Sequence, residues 1–101
     1  MVLKLHEISG LGPYDKIAEE KRTIYRPKDL DKAFLIENPH TIELRTDSKL
    51  GKLLAEKYES VMKSRYFGNQ GIEIVMSNQL SDEEISDLIR LSYNLTSSLA
   101  E

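Results

Sequence analysis

Lys63, Arg65, Tyr66, Asn69 and Gln70 are the residues of this chain whose types and spacing best suit binding chemistry. They fall in one stretch, VMKSRYFGNQG, that reads as an extended segment followed by a glycine-rich turn at 68–71. Period-two alternation expects Lys63 and Arg65 on one face. Two cations with neighbouring amides and an aromatic ring suit phosphate oxygens and base edges. The same residues also describe the polar exterior of an ordinary hairpin with Tyr66 partly buried. No comparable set for covalent or metal chemistry is present. There is no cysteine, so a thiolate nucleophile, a disulfide and a Cys-ligated metal are excluded. His6 and His40 are the two imidazoles, and neither stands at a ligand spacing. No strand-turn-helix nucleophile elbow occurs. Asp29 and Asp31 lack the glycine and terminal glutamate of a calcium loop. Asp82, Glu83 and Glu84 follow Ser81 and read as helix-capping residues rather than metal ligands.

The elements that position the 63–70 stretch are legible on both sides. Residues 72–76 (IEIVM) read as a strand, which makes 61–76 a hairpin. A second hairpin is expected from residues 32–37 (KAFLIE) and 41–46 (TIELRT) around Asn38-Pro39-His40. In TIELRT, Ile42 and Leu44 take one face and Glu43 and Arg45 the other. A helix is expected over 47–58, capped by Asp47 or Thr46, with Leu50, Leu53, Leu54 and Tyr58 as its apolar stripe. Gly51 weakens that helix by ~1 kcal/mol unless something packs close to it. The final helix, over 81–99, has the strongest signal. Ser81 and Glu84 form a capping box, and Leu80 and Ile85 form a hydrophobic staple. Ile85, Leu88, Ile89, Leu91, Ser92, Leu95 and Leu99 are its expected buried face. Earlier in the chain, residues 2–8 alternate as a strand and residues 23–26 form a short β-prone run. Residues 15–22 read as a loop or one or two helical turns. Gly10-Leu11-Gly12 lacks the rest of a phosphate loop and reads as a turn.

The totals bound the class. A chain of 101 residues has room for one core, so 1–101 is read as a single domain. Hydrophobic residues make up 40% and charged residues 31%, which fits a folded domain. With no Trp and two Phe, the core must be largely aliphatic. The net charge of −3 is unevenly spread. Residues 45–70 carry six basic groups (Arg45, Lys49, Lys52, Lys57, Lys63, Arg65) against three acidic ones (Asp47, Glu56, Glu59). Residues 71–101 carry one basic group (Arg90) against six acidic ones (Glu73, Asp82, Glu83, Glu84, Asp87, Glu101). A local basic face is therefore available on an acidic chain. No apolar run is long enough for a signal peptide or a membrane span, and a cytoplasmic location is expected.

From Lys32 onward, over about two-thirds of its length, the chain resembles the MmcQ/YjbR-like family of small bacterial proteins. The matching pieces are Lys32-Ala33-Phe34, Ile42 to Asp47, Leu53 to Tyr58, and Tyr66 with Asn69. They continue with Leu80 to Ile85 and Leu88 to Tyr93, which ends in a Ser-Tyr pair. Gln70-Gly71-Ile72 stands where the family usually has a Lys-x-x-Trp-like run. The resemblance implies a two-layer α+β fold, an antiparallel sheet of four to five strands with two main helices on one face. It also implies a non-enzymatic protein labelled DNA-binding, with no cofactor and no catalytic residue. Tyr66 and Asn69 match the family's hairpin positions, and Lys63 and Arg65 join them on charge. DNA is thus the expected partner. The alternative is a protein-interaction module that pairs by sheet edges or helix faces, as in a homodimer.

Overall fold

The computed structural model describes Leu5 and residues 8–77 and 79–99. Its centre is a six-stranded antiparallel sheet, so the expected four or five strands become six. The strands are β1 (Tyr14–Ala18), β2 (Thr23–Pro27), β3 (Leu35–Glu37), β4 (Thr41–Arg45), β5 (Val61–Ser64) and β6 (Gly68–Val75). Helix α1 (Ser48–Lys57) lies between β4 and β5, and α2 (Asp82–Leu99) ends the described chain. The order across the sheet is β1-β2-β3-β4-β6-β5. The first four strands follow one another as hairpins. Then β6 inserts between β4 and β5, tying the two halves of the chain together.

The additional strand is β1, in the 15–22 region expected to be a loop or helical turns. YDKIA has one branched aliphatic residue, and its extended form comes from the neighbouring strand. Five cross-strand partners from Tyr14↔Pro27 to Ala18↔Thr23 hold it against β2. The expected 23–26 strand is β2. The strand expected over 2–8 falls mostly on residues outside those described, as does His6. After β2 the chain turns through Asp29, whose φ of 67° is one that Asp tolerates. The β3–β4 hairpin closes at Asn38, whose backbone N–H donates to the Thr41 carbonyl at 2.9 Å.

One face of the sheet carries the main core. Leu35, Ile42, Leu44, Ile72 and Ile74 pack with Val61, Leu80, Ile85 and Ile89. Burying such a side chain stabilises the fold by roughly 1.5–3 kcal/mol. An aromatic group of Tyr14, Tyr25, Phe34 and Tyr93 extends this core toward β1 with tilted and edge-on contacts. Helix α1 covers β5 and β6, and α2 covers β4, β3 and β2.

Both helices begin as expected. Asp47 accepts the Leu50 N–H at 2.7 Å. Ser81 and Glu84 exchange hydrogen bonds, each 3.1 Å. Their buried faces differ from the leucine stripes. In α1 the buried residue is Gly51, while Leu53 is 57% exposed. A Cβ on Gly51 would stand 3.0 Å from Thr46 Oγ1, so the helix rests on the sheet through its glycine. In α2 the buried residues are Ile85, Ile89, Ser92 and Thr96, and Leu91 and Leu99 face solvent. The reason lies in the sheet end below. Ser92 Oγ accepts the Arg45 N–H at 2.8 Å and donates to the Phe34 carbonyl at 2.5 Å. The register Leu35↔Leu44 puts Phe34 opposite Arg45, so the hydroxyl stands where the next ladder bond would be. A leucine there would leave both backbone groups without partners.

Candidate functional site

Among the described residues no helix lies over the other face of the sheet. One row of cross-strand partners crosses it from edge to edge: Ile17, Ile24, Ile36, Glu43, Glu73, Met62. The isoleucine half forms a small second core with Ala33 and Phe67. The other half holds two carboxylates, and each glutamate is 3% exposed.

Burying a carboxylate demands donors. Glu43 Oε1 accepts from the Ser64 hydroxyl at 2.8 Å and from the Tyr66 N–H at 2.9 Å. Its Oε2 accepts from Asn38 Nδ2 at 2.9 Å. Glu73 takes Arg65 as a fork, with Nε at 2.9 Å and Nη2 at 2.8 Å. The Thr41 hydroxyl donates to Glu73 at 2.7 Å and accepts from Asn38 at 3.1 Å, joining the two halves. The Arg65 bonds, aided by Thr41, hold the Glu73 carboxyl below the usual carboxylate range against the opposing effect of burial. Ser64 is buried and spent on Glu43 and on the Phe67 N–H, so its hydroxyl is not offered to a substrate.

This network fixes the β5–β6 turn. The turn runs over Arg65-Tyr66-Phe67, and the expected turn at 68–71 is instead part of β6. Arg65 is tied to Glu73 and Tyr66 to Glu43, so the turn folds over the open face. Phe67 lies above Gly71, where a Cβ would strike the Phe67 side chain and stand 2.7 Å from the Leu44 carbonyl. The Arg45 guanidinium covers Phe67 at 4.7 Å from the ring centroid.

The four residues singled out from sequence therefore divide. β5 keeps its alternation through Ser64, with Lys63 on the helix side and Met62 and Ser64 on the open face, but Arg65 lies beyond the strand in the 65–67 turn. Lys63 partners Ile72 and lies on the helix side, while Arg65 meets Glu73 on the open face. Their expected shared face is thus corrected. Asn69 falls with Lys63, and Tyr66 with Arg65. The helix-side group lines a cleft of about 770 Å³ between α1 and the β5–β6 hairpin. Lys49, Lys52, Lys63, Asn69 and Gln70 face it together with Ser48, and no carboxylate lines it. In the sequence Lys49 and Lys52 count only toward the basic 45–70 stretch, with nothing to link them to the hairpin. The pairing of Lys63 with Ile72 on the helix side brings it to them. The open-face group (Arg65, Tyr66) joins Lys21, Arg22, Asn38 and Glu43 around a second pocket. Its buried member had one sequence signal, a lone glutamate centred in each alternating strand.

His40 sits in the β3–β4 turn, as expected. Asp82, Glu83 and Glu84 occupy the first turn of α2, and Glu84 also accepts the Tyr58 hydroxyl at 2.6 Å. Among the described residues no group of three or more His, Cys, Asp or Glu is placed to hold a metal ion. None of their helices is long and apolar enough to cross a membrane.

An antiparallel sheet with two helices on one face defines an α+β fold shared with solved bacterial proteins. A Deinococcus radiodurans protein with a DUF419 domain superposes with a TM-score of 0.80 at 14% identity, over 93% of this chain and 75% of that one. A Pseudomonas syringae protein superposes with a TM-score of 0.71 at 18% identity, over 82% of this chain and 86% of that one. At these identities the likeness is one of fold. No family model and no curated protein matches the sequence.

Proposed function

We propose that this chain is a non-enzymatic nucleic-acid-binding protein of the MmcQ/YjbR-like kind. In this reading it holds duplex phosphates in the cleft between α1 and the β5–β6 hairpin. The observation that carries the reading is the composition of that cleft: three lysines and two amide side chains, with no carboxylate. Lysines bind phosphate as point charges, and the amides of Asn69 and Gln70 add hydrogen bonds that fix register. Arg65 and Tyr66 lie on the far side of the hairpin and stand outside this contact. Titration of a labelled duplex at two salt concentrations tests the reading. Binding must weaken as salt rises, because each neutralised phosphate releases counterions.

A sheet-edge homodimer is the second reading, favoured by one observation. The sheet ends at β1 and β5, and each has an unpaired outer edge among the described residues. A concentration-dependent dimer by light scattering, together with no duplex affinity, would select it.

A further inference from the structure

We propose that the open-face pocket beside the β5–β6 turn binds a nucleotide, either free or as an unpaired residue of a strand. The pocket, of about 430 Å³, is lined by Lys21, Arg22, Asn38, Glu43, Arg65 and Tyr66. This proposal does not rest on the duplex contact, which uses other residues on the other face of the sheet.

Three features of the pocket call for three parts of one ligand. Its floor is the Glu43 carboxylate, 3% exposed, with Oε1 already taking two donors and Oε2 taking only Asn38. A carboxylate oxygen accepts more than one hydrogen bond, so Oε2 can take an N–H from a base edge. Its wall is the Tyr66 ring, 45% exposed and held in place because its own backbone N–H is bonded to Glu43. The Arg22 guanidinium lies over that ring at 5.4 Å from the centroid as a cation–π contact. A nucleobase can stack on the same face when Arg22 turns to the phosphate. Its rim carries the cations Lys21, Arg22 and Arg65, two of them already paired, Arg22 with Glu19 and Arg65 with Glu73. A phosphate can take their remaining N–H donors together with the Lys21 ammonium. Arg65 keeps N–H donors beyond the two it gives to Glu73, and its side chain is 74% exposed. Arg22 is held by an exposed pair with Glu19, a kind of contact that a phosphate readily replaces.

The test is titration of the full chain with guanosine, adenosine, cytidine and uridine monophosphates, followed by amide NMR shifts and calorimetry. Inorganic phosphate, the nucleosides and a short oligothymidylate serve as the comparison arms. The expected result is saturable binding of at least one monophosphate with Kd below ~1 mM. Shifts should centre on Arg22, Asn38 and Tyr66, and both phosphate and nucleoside should bind more weakly. Arg22→Ala, an exposed change that leaves the fold intact, should weaken binding roughly tenfold, and Lys28→Ala should not. Tyr66→Ala should remove the preference for nucleotide over phosphate. Binding of the oligothymidylate alone, weakened by Arg22→Ala, would support the proposal with a strand as the source. No saturable binding to monophosphate or oligothymidylate would overturn it. So would phosphate binding as tightly as nucleotide, or shifts that lie away from the pocket.

Discussion

Glu43 and Glu73 stand directly opposite one another on β4 and β6, both buried on the sheet face opposite α1 and α2. Two buried anions side by side repel unless donors surround them. Here the donors come from Asn38, Thr41, Ser64, Arg65 and the Tyr66 backbone. The pair therefore acts as an anchor for the β5–β6 turn. Removing Glu43 leaves the Ser64 hydroxyl, the Asn38 amide and the Tyr66 N–H without their acceptor. Glu43→Ala should destabilise the fold by about 3 kcal/mol, measured by urea unfolding. Glu43→Gln, which keeps one acceptor oxygen, should cost less. Equal stabilities of Glu43→Ala and the parent would remove the anchoring role.

Acid should loosen the same anchor. Arg65 and Thr41 lower the Glu73 pKa in the folded chain. A group whose folded pKa is depressed contributes stability above its unfolded pKa, about 4.3 for Glu. That contribution is lost as pH falls through the lower folded value. The thermal midpoint should thus be insensitive to pH near neutrality, where the Glu73 contribution is fully present, and should drop in acid. Arg65→Ala should flatten the part of the acid drop that belongs to Glu73. Identical acid profiles for Arg65→Ala and the parent would contradict the assignment.

Ser92 replaces a missing rung of the sheet ladder. Ser92→Ala fits the space but orphans the Arg45 N–H and the Phe34 carbonyl. A loss of about 2 kcal/mol is expected in thermal or chemical unfolding. A change within ~0.5 kcal/mol would mean that the ladder closes without the hydroxyl.

Gly71 should tolerate no side chain. Gly71→Ala drives a methyl against Phe67 and the Leu44 carbonyl. Displacing Phe67 would also free Arg45 from its ring. We expect a cost of at least ~1–3 kcal/mol, together with shifted amide resonances through residues 65–68. An unchanged spectrum would mean that Phe67 does not lie over the strand.

What the sequence made legible was local. The Ser81 capping box, the Asp47 cap, the β3–β4 hairpin at Asn38-Pro39 and the alternation of β4 and β6 each depend on neighbours within a few residues. What it hid was set at a distance. YDKIA is extended because β2 pairs with it. Ser92 lies on the buried face of α2 as expected, but Thr96 joins it there unexpected, and Leu91 and Leu99 face solvent instead, because backbone groups of Ala33, Phe34 and Arg45 wait below the helix. β5 ends at Ser64, so Arg65 and Tyr66 turn to the open face while Lys63 stays on the helix side, and one expected site becomes two. Tyr66 and Asn69, matched together in the family resemblance, belong to different sides.

The central claim is that the lysines of the α1–hairpin cleft hold nucleic-acid phosphates, and fluorescence anisotropy of a labelled duplex across a salt series tests it most directly. The account predicts Kd tighter than ~10⁻⁴ M at low salt, with log K falling against log salt at a slope of roughly −3 for three neutralised phosphates. Lys49→Ala, Lys52→Ala and Lys63→Ala combined, all at exposed positions, should remove most of the affinity and bring the slope close to zero. Affinity no tighter than ~10⁻⁴ M with no salt dependence, or a triple variant that binds like the parent, would contradict it.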